Sequence, residues 1–263
     1  WGRPNETTAA STKEADDYCR WYHAGSPEFK YGHPFETFEP EEESFLEGSF
    51  VAPAMIGYAG MISYLQWLMT QPPAVTIGFL SDTLKYLQWQ GLADPAKPWL
   101  LKSPLYQGLE LEILKVFPNA RFVMLHRSVT KTVASACKLN TCYRKPFTDA
   151  IPDFGMLIEG LSMGMDGHLA NRAAPAGLPL LDLSFDEITT SLPVAVEKIY
   201  RHAGMPLQDA ARERMARWDT ENPMHKQGEF RYTLEEFGLT EDAVQTRLAA
   251  YIDLQRQLFG RAL

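Results

Sequence analysis

Two short apolar runs, each followed by a segment of helical periodicity, constrain the fold of this chain most strongly. The runs are PWLLK at residues 98–102 and ARFVMLH at residues 120–126, and the segments 105–117 and 129–139 after them repeat apolar positions every three to four residues. A third run, LPLLDLSF, spans residues 178–185. This alternation predicts βαβ units and a parallel sheet. The continuous apolarity predicts strands that are covered on both faces.

The remaining chain is predicted to be mainly helical and to form one domain. Residues 1–95 are a helical region, residues 96–206 carry the parallel sheet, and residues 207–263 add a loop and helices. Outside the sheet, helical patterns cover residues 42–50, 54–70, 75–90, 155–172, 193–203, 207–218 and 241–259. Gly204 is expected to end the helix that begins at Pro193.

Composition excludes several classes of protein. The net charge of −8 argues against a nucleic-acid partner, and no apolar run approaches the 18 or so residues of a membrane span. The three cysteines, Cys19, Cys137 and Cys142, show no metal-ligand spacing and predict free thiols in a reducing, cytoplasmic compartment. We therefore expect no bound metal. The sequence gives no indication of an oligomeric state.

Two of the predicted strands end in cations, Lys102 and Arg127. Because ligands of parallel sheets bind beyond the carboxyl ends of the strands, the two cations predict an anion site at one rim. A helical wheel also places Ser135 on one face with Lys131 and Lys138, a set that suits a phosphate. Two alternatives stay open from spacing alone: Arg127 pairs with a carboxylate, and Ser135 is a surface residue or bonds to its own helix.

The segment PWLLKSPLYQGLELEILKVFPNARFVMLHRSVTKTVASACKL resembles the middle of sulfotransferases that use 3′-phosphoadenosine 5′-phosphosulfate (PAPS). The resemblance implies an α/β fold like that of P-loop NTPases, with three layers and a short parallel sheet. It implies that Arg127 and Ser135 hold the 3′-phosphate of the cofactor. It also implies that Lys102, followed by Ser103, lies near the transferring sulfonate.

Other segments extend the resemblance to nearly the whole chain. HPFETFEPEEE matches a His-Pro, Glu-Pro-Glu-Glu pattern that includes His33, Glu41 and Glu42, and FRYTLEEFGL implies that Arg231 and Tyr232 lie near the cofactor phosphates or the acceptor. Phe185 stands where the family has a tyrosine that contacts adenine.

A second departure from the family pattern concerns the general base. Tyr106 occupies a position where the family often has a histidine, so the role of base falls to His33 or to a glutamate, with Glu42 as our hypothesis. Structural roles remain alternatives for both residues: His33 as a turn residue beside Pro34, and Glu42 as a charge at a helix N-terminus.

The family's loop close to P-R-S-G-T-T, whose N–H groups cradle the 5′-phosphosulfate, has no counterpart here. GRPNETT, at residues 2–8, does not replace it because no strand precedes it. We expect the loop to lie upstream of these residues. An alternative is a degenerate homologue that serves as a packing or interaction domain without chemistry; a P-loop kinase would need a GxxxxGK[ST] loop, which the sequence lacks.

The sequence is compatible with a small molecule, a lipid or a carbohydrate as the acceptor. The aromatic and methionine-rich segment 50–89 has two interpretations. It lines an apolar acceptor pocket, or it forms ordinary core.

Overall fold

The computed structural model describes residues 9–38, 48–51, 62–223 and 226–263. The chain divides into two compact units, residues 1–116 with 138–153 and residues 117–137 with 154–263. The helix Val129–Arg144 belongs partly to each unit. The single domain expected from the sequence stays a prediction.

The first unit is helical where the structure describes it. Its elements are the α-helices Ala9–Gly25, Phe29–Gly32, Ile62–Leu68, Ala74–Trp89 and Glu110–Val116, and the 3₁₀ turn Pro104–Tyr106. The helix Ala74–Trp89 confirms the prediction for residues 75–90, and it buries Ile77, Leu80 and Leu84 on one face. Residues 42–47 and 54–61 of two predicted helices lie outside the described residues. Residues 48–50 form a turn, and Ile62–Leu68 confirms the later part of the helix predicted at residues 54–70.

An aromatic cluster holds the N-terminal part of the first unit together. Tyr22 and Phe29 are fully buried with their ring centroids 5.0 Å apart, and Phe35 and Tyr143 pack against Phe29. The Tyr22 hydroxyl donates to the carbonyl of Tyr143 at 2.7 Å, so the buried phenol has a partner. The helix Ala9–Gly25, which carries Tyr22, was not predicted from the sequence.

The prediction of a strand at residues 98–102 is wrong. These residues have no regular secondary structure, and Leu100 is 93% exposed. Apolar character alone therefore did not make this run a strand, because no neighbouring strand pairs with it among the described residues.

The second unit contains a sheet of two parallel strands, β1 (Phe122–His126) and β2 (Leu180–Ser184). Phe122 is opposite Leu180 and His126 is opposite Ser184, so the predicted strands at residues 120–126 and 178–185 and their parallel pairing are confirmed. The mixed α/β fold with a short parallel sheet is as expected.

Helices make up the rest of the second unit. They are the α-helices Phe154–Arg172, Phe185–Thr190, Leu192–Ala203, Asp209–Glu221, Glu241–Arg247 and Ala249–Phe259, and the 3₁₀ turn Glu235–Phe237. Gly204 ends the helix Leu192–Ala203 in a left-handed conformation with φ of 69°, as predicted. The single helix predicted at residues 241–259 is interrupted at Leu248.

The core of the second unit forms where the helix from Val129 meets the two C-terminal helices. Val133 and Val244 are almost fully buried there, beside Leu248 and Tyr251. The prediction that the strands are covered on both faces is wrong for β1, since Val123 is 37% exposed and Leu125 is 57% exposed. The core therefore covers one face of β1.

The three cysteines are free thiols with different exposures. Burial raises the pKa of the Cys137 thiol to about 11, and it also raises that of Cys142, whereas Cys19 is partly exposed. Because the thiolate is the reactive form, we expect iodoacetamide at pH 8 to label Cys19 in the native protein and the other two only after unfolding. Mass spectrometry of the labelled protein checks this, and rapid native labelling of Cys137 would contradict the buried environment.

Candidate functional site

Arg127 follows β1 directly and lies among other residues predicted to bind a ligand. Its guanidinium carbon is 4.6 Å from the centre of the Phe185 ring, in a cation–π contact. Its Nη2 donates to the Tyr232 hydroxyl at 3.4 Å. Three of the predicted site residues thus lie together within the second unit. They come from the position after β1, the position after β2 and the loop before the C-terminal helices.

Among the described residues, no carboxylate pairs with the Arg127 side chain; the nearby Asp182 pairs with His126 and Arg172 instead. The Arg127 Nε is shielded from solvent and has no hydrogen-bond partner in the described part of the chain. A desolvated charged donor without an acceptor costs roughly 1–3 kcal/mol or more. An anionic ligand would satisfy it, because a guanidinium that stacks by its face keeps its edge for bidentate binding.

The N-terminus of the helix Val129–Arg144 lies two residues after Arg127. The first N–H groups of a helix have no intrahelical partner and carry a partial positive charge, so they favour an anion. The Ser128 and Thr130 hydroxyls bond to each other at 2.9 Å beside this terminus. The serine just before the apolar periodicity was a sequence signal for this helix start.

A buried hydrogen-bond network fixes the backbone next to Arg127. His126 is fully buried, and its Nε2 lies 2.8 Å from Asp182 Oδ1 while its Nδ1 lies 2.8 Å from the Tyr251 hydroxyl. Arg172 Nη1 donates to both oxygens of Asp182, at 2.8 and 3.0 Å. One histidine therefore links β1 to β2 and to the C-terminal helix.

The protonation states in this network follow from its environment. Burial raises the pKa of Tyr251, so the phenol keeps its proton beside Nδ1 of His126. Burial alone would raise the pKa of Asp182, but hydrogen bonds from His126 and Arg172 outweigh it and lower the pKa.

Gln255 supports Arg127 from the C-terminal helix. Its side chain is fully buried, and its Nε2 donates to the Arg127 carbonyl at 2.9 Å. Gln255 and the network around His126 were not predicted from the sequence, because the bonds of His126 to Asp182 and Tyr251 and of Gln255 to Arg127 join residues 56 to 128 positions apart. A signal did exist for Asp182, which is a lone charge within the apolar run LPLLDLSF.

Ser135 and its neighbouring lysines lie on the helix that starts after Arg127. No hydrogen bond involves the Ser135 hydroxyl among the residues described, so it does not bond to its own helix in the way that Thr132 bonds to the Ser128 carbonyl at 2.9 Å. Lys131 is exposed, while Lys138 pairs with Glu28 at 3.0 Å in the first unit. Arg231 is exposed and pairs with Glu229 at 2.6 Å.

The other predicted site residues belong to the first unit. Lys102 is exposed, and Ser103 caps the 3₁₀ turn Pro104–Tyr106 by accepting from the N–H of Leu105 at 3.1 Å. His33 follows the short helix Phe29–Gly32 and stacks on Phe29 with centroids 5.8 Å apart. Glu41 and Glu42 lie outside the described residues.

Within the described ranges, no group of three or more histidine, cysteine, aspartate or glutamate side chains could hold a metal ion. No helix in that same part of the chain is both long enough and apolar enough to cross a membrane.

The chain matches the model of the sulfotransferase family over residues 4–209. It is similar in structure to sulfotransferase STF9 from Mycobacterium avium, with a TM-score of 0.74 and 24% identity over 92% of this chain and 63% of that one. It is also similar to sulfotransferase STF1 from Mycobacterium tuberculosis H37Rv, with a TM-score of 0.71 and 25% identity over 90% of this chain and 62% of that one. No curated protein matches. The chain thus spans less than two thirds of either sulfotransferase.

Proposed function

Because the chain belongs to the sulfotransferase family, we propose that it transfers a sulfonate group from PAPS to a hydroxyl or amine acceptor. The family generally takes PAPS as donor and acts on small-molecule or carbohydrate acceptors. The observation that carries the proposal is the Arg127 guanidinium, which stacks on Phe185 and has a desolvated Nε without a partner among the described residues.

The proposed binding of the nucleotide end uses residues of the second unit. Arg127 binds the 3′-phosphate with two N–H groups, Ser135 donates its hydroxyl to the same phosphate, and Tyr232 contributes a phenolic hydroxyl. The N-terminus of the helix Val129–Arg144 adds its partial charge. Phe185 is 38% exposed, so its ring keeps apolar surface on which an adenine can pack.

The proposed chemistry is an in-line displacement at the sulfur of PAPS. A bond forms between the acceptor oxygen or nitrogen and sulfur, the bond from sulfur to the bridging phosphate oxygen breaks, and 3′-phosphoadenosine 5′-phosphate (PAP) leaves with the bonding electrons. Lys102, supported by Ser103, stabilises the charge that grows on the leaving oxygen and the sulfonate. His33 or Glu42 takes the acceptor proton.

The proposal includes lipids, as well as small molecules and carbohydrates, among the acceptors. We place the protein in the cytoplasm, since its three cysteines are free thiols. The proposal needs no metal, because a lysine can supply the charge that a metal would provide.

Calorimetric titration with PAP and with AMP tests the proposed function without requiring turnover. The two ligands differ only by the 3′-phosphate, so PAP is expected to bind at least about tenfold more tightly than AMP, as a charge-assisted hydrogen bond provides. Equal affinities would remove the 3′-phosphate site from this chain. Failure to bind either ligand would favour a homologue without chemistry.

A further inference from the structure

Described residues of the first unit line a partly open apolar cavity of about 130 Å³. Leu68 and the turn after it form one side, Ile77 and Leu80 of the helix Ala74–Trp89 form another, and Leu105 and Leu109 complete the wall. Aliphatic side chains therefore dominate the surface that a ligand would touch.

Four polar groups of the wall are already bonded to the protein. The Thr76 hydroxyl donates to the Val51 carbonyl, and the Gln71 amide donates to groups of the preceding turn at 3.0 and 3.3 Å. Pro72 and Pro73 have no N–H, and their carbonyls accept hydrogen bonds from the next helix at 3.0 and 3.1 Å. These groups do not compensate a polar ligand for the water it would lose, so the cavity selects apolar groups.

The size of the cavity limits what it can hold. An engineered apolar cavity of about 150 Å³ stays dry and binds benzene, whereas pockets for drug-sized ligands measure about 300–1,000 Å³. A volume of about 130 Å³ thus suits one aromatic ring or a short alkyl chain, and it is too small for a sugar residue with its bound water.

The cavity and the proposed sulfonate lysine share one segment of chain. Ser103 caps the 3₁₀ turn that follows Lys102, and this turn carries Leu105 and Tyr106 into the cavity wall. A ligand in the cavity therefore lies against the same turn that positions the backbone after Lys102.

We propose that this cavity binds the apolar end of the sulfonate acceptor, an aryl or short alkyl group whose hydroxyl stays outside the cavity on the side of Lys102. That the bound group belongs to the sulfonate acceptor rests on the proposed function. That the bound group is apolar rests on the cavity alone. It makes phenols and short alcohols the preferred acceptors over free sugars.

Ligand-observed NMR with 4-methylphenol, 1-hexanol and glucose tests the inference directly. We expect the first two to bind and glucose to give no signal. Leu80→Phe should weaken 4-methylphenol binding about tenfold, because its added ring occupies the space and denies the ligand most of its transfer free energy. Circular dichroism shows whether Leu80→Phe folds. If it does not, Leu109→Phe replaces it, since this change fills the cavity from a partly exposed position.

The matched control is Leu87→Phe, the same change on the same helix at a position outside the cavity wall. It should bind 4-methylphenol like the wild type. Unchanged binding in both filled variants, or glucose binding that the filled variants abolish, would overturn the inference.

PAP titration of the same samples separates this inference from the proposed function. PAP binding without 4-methylphenol binding overturns the cavity as acceptor site and leaves the proposed function standing. Binding of 4-methylphenol without PAP sinks the sulfotransferase proposal, and with it the acceptor role of the cavity.

Discussion

Arg127→Ala is expected to weaken PAP binding by more than about 1.5 kcal/mol, at least tenfold, while AMP affinity stays unchanged. The physical reason is the loss of a guanidinium that stacks on Phe185 and whose Nε has no acceptor among the described residues. Comparing two ligands in two proteins gives a double-mutant cycle, in which the coupling belongs to Arg127 and the 3′-phosphate. Titration calorimetry at one fixed salt concentration measures all four affinities.

Two further variants separate charge from geometry in this experiment. Arg127→Lys keeps the charge but loses the planar fork, so we expect an affinity between those of the wild type and the alanine variant. Arg256→Ala removes an equal charge from the same unit, where Arg256 is 60% exposed and paired with Asp253 at 2.7 Å, and should leave PAP binding intact. Equal losses of PAP and AMP affinity in Arg127→Ala would place Arg127 away from the 3′-phosphate.

Asp182→Ala is expected to lower the free energy of unfolding by about 3 kcal/mol at pH 7. The substitution leaves the buried His126 donor and the Arg172 guanidinium, whose side chain is 21% exposed, without their shared acceptor. Removal of one partner from a buried ion pair costs about 3–5 kcal/mol, and the partial exposure of Arg172 puts this case at the lower end. Urea denaturation followed by circular dichroism measures the change. Asp253→Ala removes an aspartate that is 62% exposed and should cost no more than about 1 kcal/mol.

The same carboxylate predicts an acid limit to stability. The pKa of Asp182 is lowered in the folded state, below the value of about 3.9 of an unfolded aspartate. The contribution of Asp182 to the free energy of unfolding is therefore complete above about pH 4, and it declines as the pH falls through the pKa of the folded state. Asp182→Asn, which cannot titrate, should flatten the loss of stability below about pH 4, and parallel curves for wild type and variant would contradict the assignment.

The sequence was most informative where local pattern and tertiary pairing agree. Strands β1 and β2 and the helix Ala74–Trp89 lie close to their predicted positions. The run at residues 98–102 looked equally apolar, yet it is not a strand, because a strand depends on a partner that lies far away in the sequence. The helix Ala9–Gly25 escaped prediction because turn signals and polar residues dominate the sequence around it.

The residues of the candidate site show the same difference between those predicted from local motifs and those that depend on distant contacts. Arg127, Phe185 and Tyr232 came from motifs, and the structure brings them together. The support from Gln255 and the network of His126, Asp182 and Tyr251 depends on contacts across distant segments, which spacing alone does not encode. Lys102, Ser103 and His33 lie in the other unit, and their joint role stays a prediction.

The hydrogen bond from Gln255 to the Arg127 carbonyl and the stacking of Phe185 have a consequence for the kinetics of binding. They restrict the backbone and the rotamers of the arginine before any ligand arrives, so little conformational entropy is lost when an anion binds. Association then requires no rearrangement at this residue. Differences in affinity between ligands should therefore be expressed in how long each one stays bound, and a nucleotide with a 3′-phosphate should have the longest residence time.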